Sequence, residues 1–167
     1  MLPSGVDADS PYLVATIHRP DNTDDMQRLS AVVTRLGQLP VPVVLLAHPR
    51  LVAKANEAGV DLAQGAVRVA APLPYAEMIN AVARSVGVVT DSGGLQKEAF
   101  LLRVPCTTLR TETEWPETLA DGWNVLDPEL DRLRGIAVRN PPTGSQGAPF
   151  GEGHAAKTVV SVLAERR

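Results

Sequence analysis

The residues of this chain best suited to chemistry lie in the run Thr90–Ala99, which reads TDSGGLQKEA. The apolar segment Val86–Val89 precedes the run and predicts a strand, and the residues after it predict a helix. Ser92, Gly93 and Gly94 are thus predicted at a strand-to-helix turn, where free amide N–H groups and the helix dipole favour an anion. The two glycines permit a positive φ and let a ligand approach bare backbone. The run therefore predicts a phosphate site.

A carboxylate follows this turn at a distance that suits a ribose attached to the phosphate. Glu98 lies about one and a half turns into the predicted helix, where it can accept hydrogen bonds from the two hydroxyls of a ribose. Phosphate and ribose together indicate a nucleotide. The run lacks the Gly-x-Gly-x-x-Gly pattern of dinucleotide sites and the Gly-Lys-Ser/Thr ending of a P-loop, so another arrangement is expected. On these residues alone, a capped helix start without a ligand remains the alternative.

Composition limits the partners that this chain can take. Its 167 residues suffice for one domain with a core, and its net charge is -3 with 4% aromatic residues, which argues against nucleic acid and anionic membranes. The single cysteine, Cys106, lies in an apolar segment and predicts a buried, inert thiol. We expect no metal and no cofactor. No segment predicts a membrane span or a signal peptide, so we expect a cytoplasmic protein.

Strand-like and helix-like segments alternate along the chain. Strands are predicted over residues 12–17, 41–47, 67–70, 86–89, 106–109 and 123–126. Helices are predicted over residues 24–39, 51–58, 75–84, 94–102, 129–138 and 154–165, with a loop over 140–153. Continuous apolar strands indicate helices on both faces, and hence an α/β fold with a doubly wound, mostly parallel, Rossmann-like sheet. Residues 1–11 are expected to be flexible, and residues 12–167 to form the domain.

Polar side chains collect where the predicted strands end, which is where such sheets bind ligands. His18 and Arg19 follow the first strand, His48 the second, and Arg110 and Glu114 the fifth. Histidine can exchange a proton or bond to a phosphate, and arginine can bind a phosphate or carboxylate through two nitrogens. Each turn alone is equally consistent with an exposed loop or a helix cap. Their convergence on one edge of the sheet favours a site.

Several motifs occur together in a specific order. They are Thr16-x-His18-Arg19 with Asn22, His48-Pro49, Asp91-Ser92-Gly93-Gly94-x-Gln96-x-Glu98-Ala99, Leu109-Arg110-x-x-Thr113-Glu114-x-Pro116-Glu117, Gly122-x-Asn124 and Gly151-x-Gly153. From Tyr12 onward the chain resembles the C-terminal domain of the non-hydrolysing UDP-N-acetylglucosamine 2-epimerases. The resemblance implies one half of a two-domain, glycosyltransferase-B-type fold, with UDP between the halves.

The resemblance also implies roles for individual residues. It implies UDP contacts, through the diphosphate, the ribose and the uracil, from Ser92, Gly93, Gly94, Glu98, Leu73 and Tyr75. It makes His18 the catalytic residue, beside the diphosphate. It implies contacts to the substrate or to an activating second substrate molecule from Arg19, His48, Arg110 and Glu114.

The reaction implied is the conversion of UDP-GlcNAc to UDP-ManNAc, in which UDP is eliminated to give a 2-acetamidoglucal and is then added back. The carboxylates that move the C2 proton belong to the family's N-terminal domain, so we expect this chain to be inactive alone. The implied partners are UDP, a UDP-N-acetylhexosamine, that N-terminal domain and, in the full-length protein, a second copy. The implied role is to supply precursors of cell-surface polysaccharides.

Three departures leave the sugar open. Asp21 and Lys97 stand where many members have Glu, and Trp115 stands where many have Arg. At Lys97 and Trp115 the chain resembles a branch of the family that includes epimerases of UDP-2,3-diacetamido-2,3-dideoxyglucuronate. A UDP-sugar-dependent glycosyltransferase domain and a non-catalytic UDP-sugar-binding module are the alternatives to an epimerase.

Overall fold

Six parallel strands form the sheet of the computed structural model, which describes residues 6–7, 9–144 and 146–165. The strands are β1 (Leu13–Thr16), β2 (Val43–Leu46), β3 (Val67–Ala70), β4 (Gly87–Thr90), β5 (Cys106–Thr108) and β6 (Asn124–Leu126). Their order across the sheet is β3-β2-β1-β4-β5-β6, and each neighbouring pair is parallel. This order reverses between β1 and β4, so the predicted doubly wound, Rossmann-like fold is confirmed.

Helices connect the strands and cover the sheet. They are α1 (Pro20–Thr23), α2 (Met26–Gly37), α3 (Pro49–Ala58), α4 (Tyr75–Arg84), α5 (Gly93–Leu101), α6 (Leu133–Ile136) and α7 (Ala155–Glu165), with a 3-10 segment over Pro116–Gly122. The expected flexible segment over residues 1–11 falls in part on residues 1–5 and 8, which lie outside the described residues.

The core lies on both faces of the sheet, as the continuous apolar strands predict. In β1, Leu13 and Ala15 pack into one buried cluster with residues of α2, and Val14 packs into a second cluster with residues of α4 and α5. Neighbouring strand residues point to opposite faces. A strand with a helix layer on each side must therefore be apolar at every position.

Local signals fix where the helices begin and end. The Asp25 side chain accepts a hydrogen bond from the Arg28 amide at 2.7 Å and caps α2, so this helix begins at Met26 rather than at the predicted residue 24. Gly59, at φ 65°, ends α3 in the left-handed conformation, so the predicted end of this helix at residue 58 is confirmed.

The helix predicted over residues 129–138 is wrong. Only Leu133–Ile136 are helical, and Leu130 adopts a left-handed φ of 63°. Leu130 and Leu133 are both buried, but only Leu133 lies in α6, and Leu130 reaches the core from the turn before that helix. The three-residue spacing therefore extends the apparent helical periodicity beyond the helix itself.

The last helix differs from the others because none of its described side chains is buried. Val160 and Leu163 are 66% and 62% exposed. Among the residues that the structure describes, no helix is long and apolar enough to cross a membrane.

Candidate functional site

The N-terminus of α5 has amide groups without intrahelical partners. Ser92 is its N-cap, in an extended conformation, and its hydroxyl accepts from the Leu95 amide at 3.4 Å. The Ser92 carbonyl accepts from the Gln96 amide at 3.3 Å. The amides of Gly93 and Gly94 precede these bonds and are free for a ligand. With the helix dipole behind them, they favour an anion.

The two glycines serve this site by leaving space, and neither uses the positive φ that glycine permits. A Cβ on Gly93 would lie 3.0 Å from a Glu114 carboxylate oxygen. The nearest atom to a Cβ on Gly94 would be the Ser92 hydroxyl at 3.9 Å, so Gly94 faces open space. Gly93 thus admits Glu114 to the helix end, and Gly94 leaves bare backbone for a ligand.

A fully buried carboxylate, Asp91, holds the turn after β1. Both its oxygens accept from the His18 amide at 3.1 Å, and one accepts from the Arg19 amide at 2.9 Å. Asn22 Nδ2 donates to the same carboxylate at 3.1 Å. His18 Nδ1 lies 3.2 Å from Asp91 Oδ1. The buried carboxylate therefore fixes the backbone of the turn and lies beside the His18 ring.

Asp91 did not stand among the predicted site residues. The signal that could have found it is an acidic residue placed directly after a fully buried strand. A carboxylate there must be paired or hydrogen-bonded, because desolvating an unpaired charge is costly.

Glu114 bridges two arginines at the edge of the same turn. Its carboxylate lies 3.0 Å from an Arg19 nitrogen and 2.7 Å from an Arg110 nitrogen. The hydrogen bond from Arg110 and then a backbone hydrogen bond, with smaller contributions from the charges of Arg110 and Arg19, lower the pKa of Glu114 to about 2. Glu114 is therefore ionised at neutral pH, and it binds the loop after β5 to the turn after β1.

The loop after β5 is docked onto α5 and is not a freely solvated acidic loop. Thr113 donates to Gln96 Oε1 at 2.5 Å, and the Trp115 indole N–H donates to the Gly93 carbonyl at 2.9 Å. Lys97 Nζ lies 4.4 Å from the centroid of the Trp115 ring. Two of the three residues that depart from the family pattern, Lys97 and Trp115, therefore contact each other.

A cavity of about 580 Å³ brings together predicted residues that follow four strands, β1 to β4, at one edge of the sheet. Its lining includes His18 after β1, His48 after β2, Leu73 before α4, and Ser92, Gly94 and Glu98 of α5. Arg19 and Arg110 line a neighbouring cavity of about 360 Å³. Tyr75 contacts Glu98 through a side-chain hydrogen bond.

Glu98 lies on the cavity side of α5, one turn beyond Gly94. Burial raises the pKa of Glu98 above its usual value, although the hydrogen bond from Tyr75 partly opposes the shift. Partial burial strengthens the hydrogen bonds that this carboxylate can accept, because less water competes for them. Within residues 6–7, 9–144 and 146–165, no group of three or more metal-ligating side chains is placed to hold a metal ion.

Sequence and fold comparisons place this geometry among known proteins. Residues 3–164 match the family profile described as UDP-N-acetylglucosamine 2-epimerase. The chain is 37% identical to the UDP-2,3-diacetamido-2,3-dideoxy-D-glucuronate 2-epimerase of Pseudomonas aeruginosa, over 98% of this chain and 47% of that protein. It is 35% identical to a UDP-N-acetylglucosamine 2-epimerase of Methanococcus maripaludis, over 91% of this chain and 44% of that protein.

A solved structure gives the same result. The crystal structure of Methanocaldococcus jannaschii UDP-GlcNAc 2-epimerase in complex with UDP-GlcNAc and UDP matches with a TM-score of 0.80 and 29% identity. The match covers 93% of this chain and 45% of that one. An E. coli heptosyltransferase, at 19% identity and a TM-score of 0.52, shares the fold alone.

The resemblance inferred from the motifs is thereby confirmed, and the chain spans about half the length of the curated relatives that it matches. The family profile covers almost all of the sequence, including every element that lines the cavity. This protein therefore belongs to the UDP-N-acetylglucosamine 2-epimerase family.

Proposed function

We propose that this chain is the nucleotide-binding half of a UDP-sugar 2-epimerase. The observation that supports this most strongly is the free N-terminus of α5, where Gly94 opens onto the cavity that Glu98 and His18 also line. The amides of Gly93 and Gly94 would bind the diphosphate. Negative charge grows on a leaving diphosphate, so these fixed donors would stabilise the transition state as well as the bound ligand.

The spacing along α5 suits a nucleoside diphosphate. Gly94 and Glu98 are four residues apart, so they lie on the same helix face about 6 Å from each other. A diphosphate at Gly94 would place the attached ribose near the Glu98 carboxylate, which can accept both hydroxyls. Leu73 and Tyr75, from the segment before and at the start of α4, would lie against the uracil.

The proposed reaction is the interconversion of UDP-GlcNAc and UDP-ManNAc by elimination and re-addition of UDP. His18 would act beside the leaving diphosphate, and Arg19, His48, Arg110 and Glu114 would contact the substrate or an activating second molecule. The carboxylates that move the C2 proton would belong to the half of such an enzyme that this chain does not match. This chain alone is therefore expected to bind UDP without epimerising a UDP-sugar.

Further features of the whole protein are part of the same proposal. We infer a cytoplasmic homodimer that supplies sugar nucleotides for cell-surface polysaccharides. The sugar itself has two candidates, because one relative at 37% identity is named for a diacetamidoglucuronate and another at 35% for N-acetylglucosamine. UDP-GlcNAc is the first substrate to test, and the uronate is the second.

Replacing Gly94 by Ala tests the binding site without damaging the fold. A methyl group would enter the open space over the α5 amides, and alanine is the better helix former by up to about 1 kcal/mol. Binding of UDP, measured by calorimetry, is expected to weaken at least tenfold while the unfolding midpoint stays the same or rises. Gly135→Ala is the matched control, because a Cβ there also meets open space but lies in α6. Equal UDP affinity in both variants would refute the proposed site.

Proton exchange tests the reaction. The chain would be fused behind the N-terminal half of the Methanococcus maripaludis epimerase and incubated with UDP-GlcNAc in deuterium oxide. An epimerase incorporates deuterium at C2 of the recovered sugar. A fusion that binds UDP-GlcNAc and never exchanges that proton would refute the epimerase function, and would favour a glycosyltransferase or a binding module.

A further inference from the structure

Two histidines line the cavity, and their Nδ1 atoms have opposite hydrogen-bond partners. His18 Nδ1 lies 3.2 Å from Oδ1 of Asp91, a carboxylate that is fully buried. His48 Nδ1 accepts a hydrogen bond from the Arg50 amide at 3.2 Å, in the cap of α3. One Nδ1 thus faces an acceptor, and the other faces a donor.

These partners determine which nitrogen of each neutral ring carries the proton. A neutral imidazole has one N–H donor and one acceptor nitrogen. Asp91 Oδ1 lies 3.2 Å from His18 Nδ1, and an ionised carboxylate can only accept, so this neighbour favours the proton on Nδ1. Its Nε2 is then an acceptor. His48 must keep Nδ1 unprotonated to accept from Arg50, so its Nε2 carries the proton and donates.

We propose that Asp91 is a positioning residue that holds His18 in the Nδ1–H tautomer, opposite to the tautomer of His48. The cavity is then lined by one histidine whose Nε2 can take up a proton and one whose Nε2–H is a fixed donor. In the proposed epimerase, on which this functional consequence rests, His18 Nε2 would be the nitrogen that exchanges a proton at the diphosphate. His48 Nε2–H would bind a substrate oxygen throughout the reaction.

The surroundings of Asp91 fit this role. Its carboxylate accepts from the His18 and Arg19 amides and from Asn22, so the oxygens cannot rotate away from the imidazole. Asn22 is itself buried and also donates to the Leu109 carbonyl at 3.1 Å. The carboxylate is thus held by the core in a fixed position beside Nδ1 of His18.

Nitrogen-15 NMR of the histidine side chains tests the assignment directly in this chain. The signals of His18 and His48 would be assigned with His18→Asn and His48→Asn variants. At a pH where both rings are neutral, His18 is expected to show a protonated Nδ1 and an unprotonated Nε2, and His48 the reverse. The same tautomer for both, or the reverse of this pattern, would overturn the proposal.

Two variants show whether Asp91 is the cause. In Asp91→Asn, the amide can donate as well as accept, so His18 is expected to lose its preference for Nδ1–H. Asp127→Asn is the matched control, because Asp127 is another buried aspartate at the end of a strand, and it accepts from the Arg132 amide rather than lying beside a histidine. The tautomer of His18 should be unchanged in that control. If Asp91→Asn does not fold, the wild-type spectrum still decides the assignment, and neither measurement depends on epimerase activity or UDP binding.

Discussion

The turns after β1 and β2 begin with the same residue type but have different supports. His18 and Arg19 rest on Asp91, which is buried and receives their amides. His48 instead caps α3, and the following Arg50 pairs with Asp24 at 3.0 Å, with both side chains about half exposed. The first turn is fixed by the core, and the second by the cap of its own helix and an exposed ion pair.

The strand order explains the difference. β1 lies between β2 and β4, so the residue that follows β4 faces the turn after β1 and not the turn after β2. Asp91 N–H donates to the Thr16 carbonyl at 3.3 Å across this junction. The junction is also where the sheet reverses its winding, the usual place for a ligand. We infer that proton transfer belongs to the turn after β1 and substrate binding to the turn after β2.

The largest expected effect separates the two histidines by rate. In the fusion protein, His18→Asn is expected to lower the epimerisation rate by roughly 10²–10⁴-fold, the usual range for a positioned acid–base group, with UDP-sugar binding within several-fold. His48→Asn keeps a good helix cap and loses one donor, which costs about 1 kcal/mol of binding. Steady-state kinetics of both variants measure the contrast. Equal losses of rate would remove the distinction between the turns.

Asp91 and Asp24, which hold the turns after β1 and β2, should also contribute differently to the free energy of unfolding. Asp91→Ala leaves several buried donors without an acceptor and is expected to lower the free energy of unfolding by about 3 kcal/mol. Asp24→Ala removes an exposed ion pair and should change it far less. Urea unfolding at neutral pH compares the two. Similar losses would mean that Asp91 does not anchor the turn.

The sequence predicts most of the sheet and little of its cross-strand chemistry. Each strand was located to within two residues, because buried parallel strands are continuous apolar runs. Asp91 was missed because two strands and their helices separate β1 from β4 in the chain, and only the topology makes these strands neighbours. The contact of Lys97 with Trp115 depends in the same way on a long-range fold.

The smallest expected effect concerns the ion pairs of Glu114, which tie the loop after β5 to the turn after β1. Arg110 and Arg19 lower the pKa of Glu114 to about 2 from its usual 4.5, so the ionised form stabilises the fold above pH 4.5, and this contribution is lost as the pH falls towards 2. Glu114 is half exposed, so the contribution is expected not to exceed about 1 kcal/mol. Glu114→Gln should therefore be less stable than wild type at pH 7, and the difference should shrink as the pH falls from 4.5 towards 2. A difference independent of pH would contradict the ion-pair account.

The central claim is that the N-terminus of α5 binds a diphosphate. Calorimetric titration of this chain with UDP, UMP and uridine at one salt concentration tests it most directly. The account predicts that UDP binds most tightly, UMP less tightly, and uridine at least about tenfold more weakly than UDP, because each lost hydrogen bond to a charged group costs about 1.5–3 kcal/mol. Equal affinities for uridine and UDP would contradict the account.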